Sequence, residues 1–127
     1  MIQDPTVRPT LRFHIRDRPQ ESPITIGPGK IALLEAIGTT GSITAAAKRL
    51  GMSYRRAWVL VDEVNRSLVR AAVRGAAGGH RGGGSQLTPT GIELCRRYRE
   101  IERQVDAAVT RELWGLLRSR PRTGAPK

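Results

Sequence analysis

Apolar positions recur at helical spacing in two neighbouring runs between residues 41 and 68. Ile43, Ala46, Ala47 and Leu50 share one face of the first run. Ala57, Leu60, Val61, Val64 and Leu68 share one face of the second. Ser42 or Thr44 is placed to cap the first helix and Ser53 the second, because their side-chain oxygens accept the free N–H groups of a first turn. Between the runs, Gly51 suits a tight turn that needs positive φ. The small run Ala45-Ala46-Ala47 lets the helices approach closely. The pattern is that of a helix-turn-helix; an ordinary αα-hairpin within a helical core is the other reading of the same spacing.

The pattern changes on either side. Upstream, Leu11, Phe13 and Ile15 alternate with Arg12, His14 and Arg16, which predicts a short strand with one buried and one basic face. That basic face could touch DNA, but it reads rather as the solvated side of a sheet, and His14 as inert. Gly27 to Ile37 predicts a helix with Pro28 at its first position and Ile31, Leu34 and Ile37 inward. Gly27-Pro28-Gly29-Lys30 lacks the spacing and ending of a nucleotide-binding phosphate loop. Downstream, residues 68 to 74 suggest a strand and Gln86-Leu87-Thr88 its returning partner, joined by a glycine-rich loop that holds His80 and Arg81. A hairpin after a helix-turn-helix is a wing.

The last predicted element is a helix from Thr88 or Pro89 to about Leu117. Leu94, Tyr98, Ile101, Val105 and Ala108 form one apolar stripe, and Ile92, Cys95, Val109, Leu113 and Leu116 a second. A helix apolar on two sides can pack on its own domain and on a partner, so a homodimer through this helix, with the N-terminal strand as a further contributor, is expected. Cys95 reads as a small packing residue. The expected fold is mainly α with a small β-hairpin, a winged helix-turn-helix with a long C-terminal dimerisation helix. The expected division is an N-terminal arm with a short strand (1–26), a DNA-binding domain (27–91), a dimerisation helix (92–117) and a disordered basic tail (118–127).

Charge narrows the partner. The chain has 127 residues, with 22 Lys and Arg against 11 acids and a formal net charge of +11. That balance favours an anionic partner and says nothing about fold. No apolar run is long enough to span a bilayer, and no apolar signal segment is recognisable. One cysteine allows no internal disulfide, and the cytoplasm is the expected compartment. The two histidines and the carboxylates show no spacing for a metal site or for acid–base catalysis, so neither an enzyme nor a cofactor is expected.

Double-stranded DNA fits the charge and the helix-turn-helix together. Arg55 and Arg56 open the second helix, where basic side chains oppose the helix dipole unless an anion answers them. Asp62 and Glu63 would hold the far end of the helix off the backbone. Tyr54 and Trp58 share a flank one turn apart. Tyr54 could donate its hydroxyl to a phosphate, while Trp58 reads as a packing residue, grouped with Leu94, Tyr98, Ile101 and Val105 as structural or dimerisation positions. Arg81 would reach the minor groove or the phosphates, and His80 would add a hydrogen bond. A protein-interaction module, or a non-specific nucleoid-type DNA binder, is the alternative; salt-dependent binding to arbitrary duplex separates a DNA binder from an interaction module.

GKIALLEAI, GSITAAAKRLGMSYRRAW, the GG…GGG loop and LTPTG together resemble the N-terminal domain of the ModE-type molybdenum-responsive transcriptional regulators, and more loosely the LysR-type DNA-binding domain. The resemblance spans about residues 27 to 115. It implies that Ser42 and Thr44 start the first helix of the motif, and that Ser53, Tyr54, Arg55 and Trp58 start the recognition helix. It also implies that Gly78, Gly79, Gly82, Gly83 and Gly84 form the wing, with His80 and Arg81 where the family has a basic residue and then glycine. Leu87, Thr88 and Gly91 would lead into the last helix. Members resembling this chain carry C-terminal oxyanion-binding domains. A chain of this length leaves no room for one, so no small-molecule effector is expected to bind within it.

Overall fold

The computed structural model describes residues 8–16, 20, 22–75 and 84–117. Two strands, β1 (Phe13–Ile15) and β2 (Ile24–Ile26), precede three helices, α1 (Pro28–Thr40), α2 (Ile43–Arg49) and α3 (Tyr54–Arg66). Strands β3 (Val73–Gly75) and β4 (Ser85–Leu87) follow, then helix α4 (Pro89–Leu113), which ends in a 3-10 turn at Trp114–Leu116.

Helix α1 is the centre of the packing. It lies against α2, α3, α4, β2 and β4. Ile31, Leu33, Leu34, Ala36 and Ile37 are all buried, a wider face than the Ile31/Leu34/Ile37 stripe, as befits a helix enclosed on several sides. It also runs past Ile37. The Thr39 and Thr40 hydroxyls donate back to the carbonyls of Glu35 (3.0 Å) and Ala36 (2.7 Å), and Gly41 closes the helix in the left-handed region.

The helix-turn-helix is present as α2 and α3. Ser42, not Thr44, caps α2, its Oγ accepting from the Ala45 N–H at 3.0 Å. Ala46 and Ala47 are buried, but Leu50 falls in the turn and is exposed, and Met52 packs against the core. Gly51 has φ 72°, a conformation costly for any residue with a Cβ. Ser53 caps α3 by accepting from the Arg56 N–H at 3.0 Å. Ala57, Leu60, Val61 and Val64 are buried as the spacing requires.

The wing is shorter than its apolar pattern suggests. Residues 67–72 turn rather than extend, with Val69 fully exposed, and strand β3 begins only at Val73. Asn65 on α3 imposes this. Its Oδ1 accepts from the Ala72 and Val73 N–H groups (2.8 and 3.1 Å), and its Nδ2 donates to the Val73 carbonyl (3.2 Å). Strand β4 pairs antiparallel with β3, Val73 opposite Leu87. Thr88 is not a strand residue but the cap of α4, accepting from the Gly91 N–H (3.0 Å) and donating to the Ala71 carbonyl (2.6 Å). A Cβ on Gly91 would stand 2.2 Å from the Ala72 carbonyl oxygen, so only glycine lets α4 start against the wing.

The N-terminal strand is paired within the chain. Strand β2, which the sequence pattern does not announce, runs antiparallel to β1 with Phe13 opposite Ile26 and Ile15 opposite Ile24. Leu11, Phe13 and Ile15 pack against the core while Arg12, His14 and Arg16 are exposed. Helix α4 joins the core through Leu94, Cys95 and Tyr98, and the Tyr98 hydroxyl donates to the Leu11 carbonyl at 2.5 Å. The two stripes therefore do not stay separate, since Cys95 and Tyr98 share one buried face. Beyond Arg99 the helix keeps an apolar surface that its own chain leaves open, with Ile101, Leu113, Trp114 and Leu116 exposed and Val105 and Val109 half-buried.

Candidate nucleic-acid interface

The buried stripe of α3 fixes what its other side presents. At 100° per residue, Arg55 and Val59 lie opposite Ala57, Leu60 and Val64, with Asp62 and Arg66 in the same sector. Arg56 and Glu63 form one flank, and Tyr54 and Trp58 the other. Arg55, Arg56 and Val59 are exposed. Among the described residues no carboxylate pairs with Arg55 or Arg56, whereas Arg66 is held by Asp62 at 3.0 Å. The helix thus opens with two uncompensated guanidiniums at the end where the dipole is positive, an arrangement that an external anion would stabilise.

Trp58 requires a correction. Its place on the helix flank leaves it 49% exposed, and Tyr54 beside it is 53% exposed. What α3 gives to the core is Ala57, Leu60, Val61 and Val64, and Trp58 is not among the core residues. Trp58 on the flank and Val59 on the outward face are both exposed apolar side chains. The hydropathy pattern hides this exposure, because an apolar residue beside an apolar stripe looks like part of it.

Ser42 and Thr44 sit at the start of α2, Ser42 with its oxygen engaged in capping and Thr44 exposed. The wing comes to the same place. The Ser85 N–H donates to the Gly41 carbonyl at 2.9 Å, and Gly84 approaches that carbonyl closely. The start of α2 and the base of the wing therefore adjoin. Ser53 is exposed at the start of α3. His80, Arg81 and Gly78, Gly79, Gly82 and Gly83 lie outside the described residues.

The remaining candidates divide. Tyr98 is 1% exposed and belongs to the core; burial, with Glu102 nearby, raises its phenol pKa. Leu94 packs at the edge of the core, while Ile101 is exposed and Val105 half-buried. Burial pushes the Cys95 thiol up to about 11, which keeps it unreactive at neutral pH. Arg99 reaches Glu35 through Nε and Nη2 (2.9 and 2.7 Å), tying α4 to α1. No described group of three His, Cys, Asp or Glu is placed to hold a metal ion. No described helix is long and apolar enough to cross a membrane.

Comparison with known proteins places this geometry. The chain is 48% identical over 77 residues to the molybdenum-pterin-binding protein MopB of Rhodobacter capsulatus, a match covering 61% of this chain and 28% of that protein. It is 42% identical over 73 residues to the molybdenum transport protein ModE of Herbaspirillum seropedicae (58% and 27%). It is 41% identical over 71 residues to the DNA-binding transcriptional dual regulator ModE of Escherichia coli K12 (56% and 27%). The matched region thus spans little more than a quarter of the length of these relatives. Among solved structures, the CbnR DNA-binding domain in complex with DNA aligns with a TM-score of 0.51 at 20% identity, covering 66% of this chain and 91% of that one. The likeness supports a winged helix-turn-helix fold with a long C-terminal helix. No family model matches the chain.

Proposed function

We propose that the chain is a sequence-specific, double-stranded DNA-binding unit of a transcriptional regulator, with α3 in the major groove. The carrying observation is the outward half of α3, where Arg55 and Arg56 have no carboxylate partner among the described residues and lie beside exposed Val59 and Trp58. An arginine fork suits the O6 and N7 acceptors of guanine, and an apolar surface suits the methyl of thymine. In this reading Ser42, Thr44, Ser53 and Tyr54 bond phosphates at the rims of the groove, which fixes register without reading sequence. His80 and Arg81 carry the wing to the backbone or minor groove. The similarity to relatives described as transcriptional regulators supports the class of function.

Residues 27–91 would form the DNA-binding domain and 92–117 the dimerisation helix. The open apolar surface around Ile101, Val105 and Leu113 would bury itself on a second copy, placing two α3 helices in successive major grooves about 34 Å apart. DNA binding by the 127 residues would not respond to added molybdate.

Selection from a pool of random duplexes tests the reading, because it requires no candidate target sequence. The expected result is a two-fold symmetric site. On that site Arg55→Ala should cost about 1–3 kcal/mol, with little loss on scrambled duplex. Failure to enrich any sequence, with tight binding to all duplexes, would replace specific regulation by non-specific DNA packaging.

A further inference from the structure

A cleft of about 560 Å³ separates the β1–β2 hairpin from the flank of α3 and is lined by Arg12, His14, Thr25, Lys30, Arg56 and Glu63, among others. Among the described residues its one carboxylate, Glu63, is already engaged. Lys30 Nζ lies 2.9 Å from Glu63 and also donates to the Thr25 carbonyl at 2.5 Å. The floor is therefore close to neutral, while Arg12 and Arg56 leave the walls cationic.

The walls are built into place. Gly27 makes room for Arg12, since a Cβ there would stand 3.0 Å from the guanidinium Nε. His14 Nδ1 lies 2.9 Å from the Thr25 hydroxyl, which orients the ring. Gly27 caps α1 without a side-chain hydrogen bond, and the first turn of α1 holds no acid. Among the described residues no carboxylate pairs with Arg12. The cleft is also continuous with the face of α3 described above, because Arg56 and Val59 belong to both.

We propose that this cleft seats the sugar–phosphate backbone at one edge of the major groove, making the N-terminal hairpin a second arm on DNA opposite the wing. The proposal rests on α3 entering that groove. Its occupant follows from the continuity: a duplex that meets Arg55 brings a phosphate strand past Arg56 and toward Arg12. Contacts of this kind strengthen binding to every sequence and add no discrimination.

Gly29 gives a test that does not depend on a weakened fold. It is exposed in the first turn of α1, it lines the cleft, and nothing lies within 4 Å of a Cβ built there. A glutamate in the first turn of a helix is favourable for stability. Gly29→Glu should therefore fold at least as well as wild type while placing a carboxylate where the phosphate would sit. Affinity is measured by fluorescence anisotropy on the selected and scrambled duplexes over a salt series. Gly29→Glu should weaken both equally, and Gly29→Gln should not.

Arg12→Gln should lower the slope of log affinity against log salt by about 0.9, so its deficit against wild type is about 3.5-fold larger at 50 mM than at 200 mM salt. Arg12→Lys should restore the slope. Arg97→Gln, which removes one positive charge from the exposed side of α4, should leave binding unchanged. Equal affinities for Gly29→Glu and Gly29→Gln, or an unchanged slope in folded Arg12→Gln, would overturn the cleft alone if Arg55→Ala still lost the selected site. Absence of DNA binding by the wild type would overturn both readings.

Discussion

Helix α4 has two halves with similar composition and opposite surroundings. In the half nearer the domain, Leu94, Cys95 and Tyr98 are taken into the core and Arg99 is clamped to Glu35 on α1. In the far half, Ile101, Leu113 and Trp114 stay exposed among the described residues, and the polar side chains pair along the helix, as Arg103 does with Glu100. The comparison teaches that apolar periodicity specifies a face to be covered and not what covers it. In the near half the cover is α1 and the N-terminal segment; in the far half no described residue supplies it, and the proposed cover is a second copy.

The largest effect should come from Tyr98→Ala. It removes a fully buried ring and leaves the Leu11 carbonyl without its donor, and should cost about 3–5 kcal/mol in urea denaturation. A cost below about 1 kcal/mol, the range of surface positions, would mean that the near half does not pack as core. Next is Ile101→Asp. It should leave the stability of a single protomer nearly unchanged and weaken self-association by about 2 kcal/mol, as for a central interface residue. Sedimentation equilibrium distinguishes the cases, and a wild-type monomer at micromolar concentration would remove the partner copy altogether.

A smaller change is expected from Trp58→Ala, the exposed counterpart of Tyr98. Its effect on thermal stability should stay within about 0.5 kcal/mol, as for surface positions, while affinity for the selected duplex falls. A large drop in melting temperature would return Trp58 to a packing role.

The smallest effect concerns Glu93, whose carboxyl is held down to about 2 by hydrogen bonds from Arg96 and then Arg97. The folded pKa lies below the ordinary value of 4.5. Any contribution is therefore present above that value and lost as pH falls toward 2. The contacts are exposed, so Glu93→Gln should lower neutral stability only slightly and flatten the acid limb by the same small amount. An NMR titration placing the Glu93 midpoint near 4.5 would show that the contacts are not held in solution.

Much of this fold was legible because its determinants are local. Caps at Ser42 and Ser53, positive φ at Gly51 and the inward stripe of α3 all follow from residues within a few positions of one another. What stayed hidden depends on partners distant in the chain. Strand β2 is legible only once β1 is known to pair with it, since Ile24-Thr25-Ile26 is too short to signal a strand unaided. The late start of β3 depends on a side chain eight residues earlier. In the interface, Arg55 and Arg56 could be picked out from charge and helix position. Trp58 and Val59 could not, because hydropathy does not distinguish an apolar residue facing a core from one left exposed. For Arg12 the alternation leaves a DNA contact and a solvated strand face both open; its place against Gly27 emerges only in the fold.

Asn65 has a mechanical consequence. By holding Ala72 and Val73 from the last turn of α3, it makes the root of the wing part of the same rigid body as the helix. In the docking proposed above, one end of that body lies in a major groove and the other reaches toward the neighbouring backbone. The protein then works as a caliper of fixed opening. It would sense the local twist and groove width of the duplex as well as its bases, since a helix whose grooves are out of phase would engage one jaw and miss the other. At the wing's root, freedom that would otherwise be surrendered on binding is already given up when the chain folds.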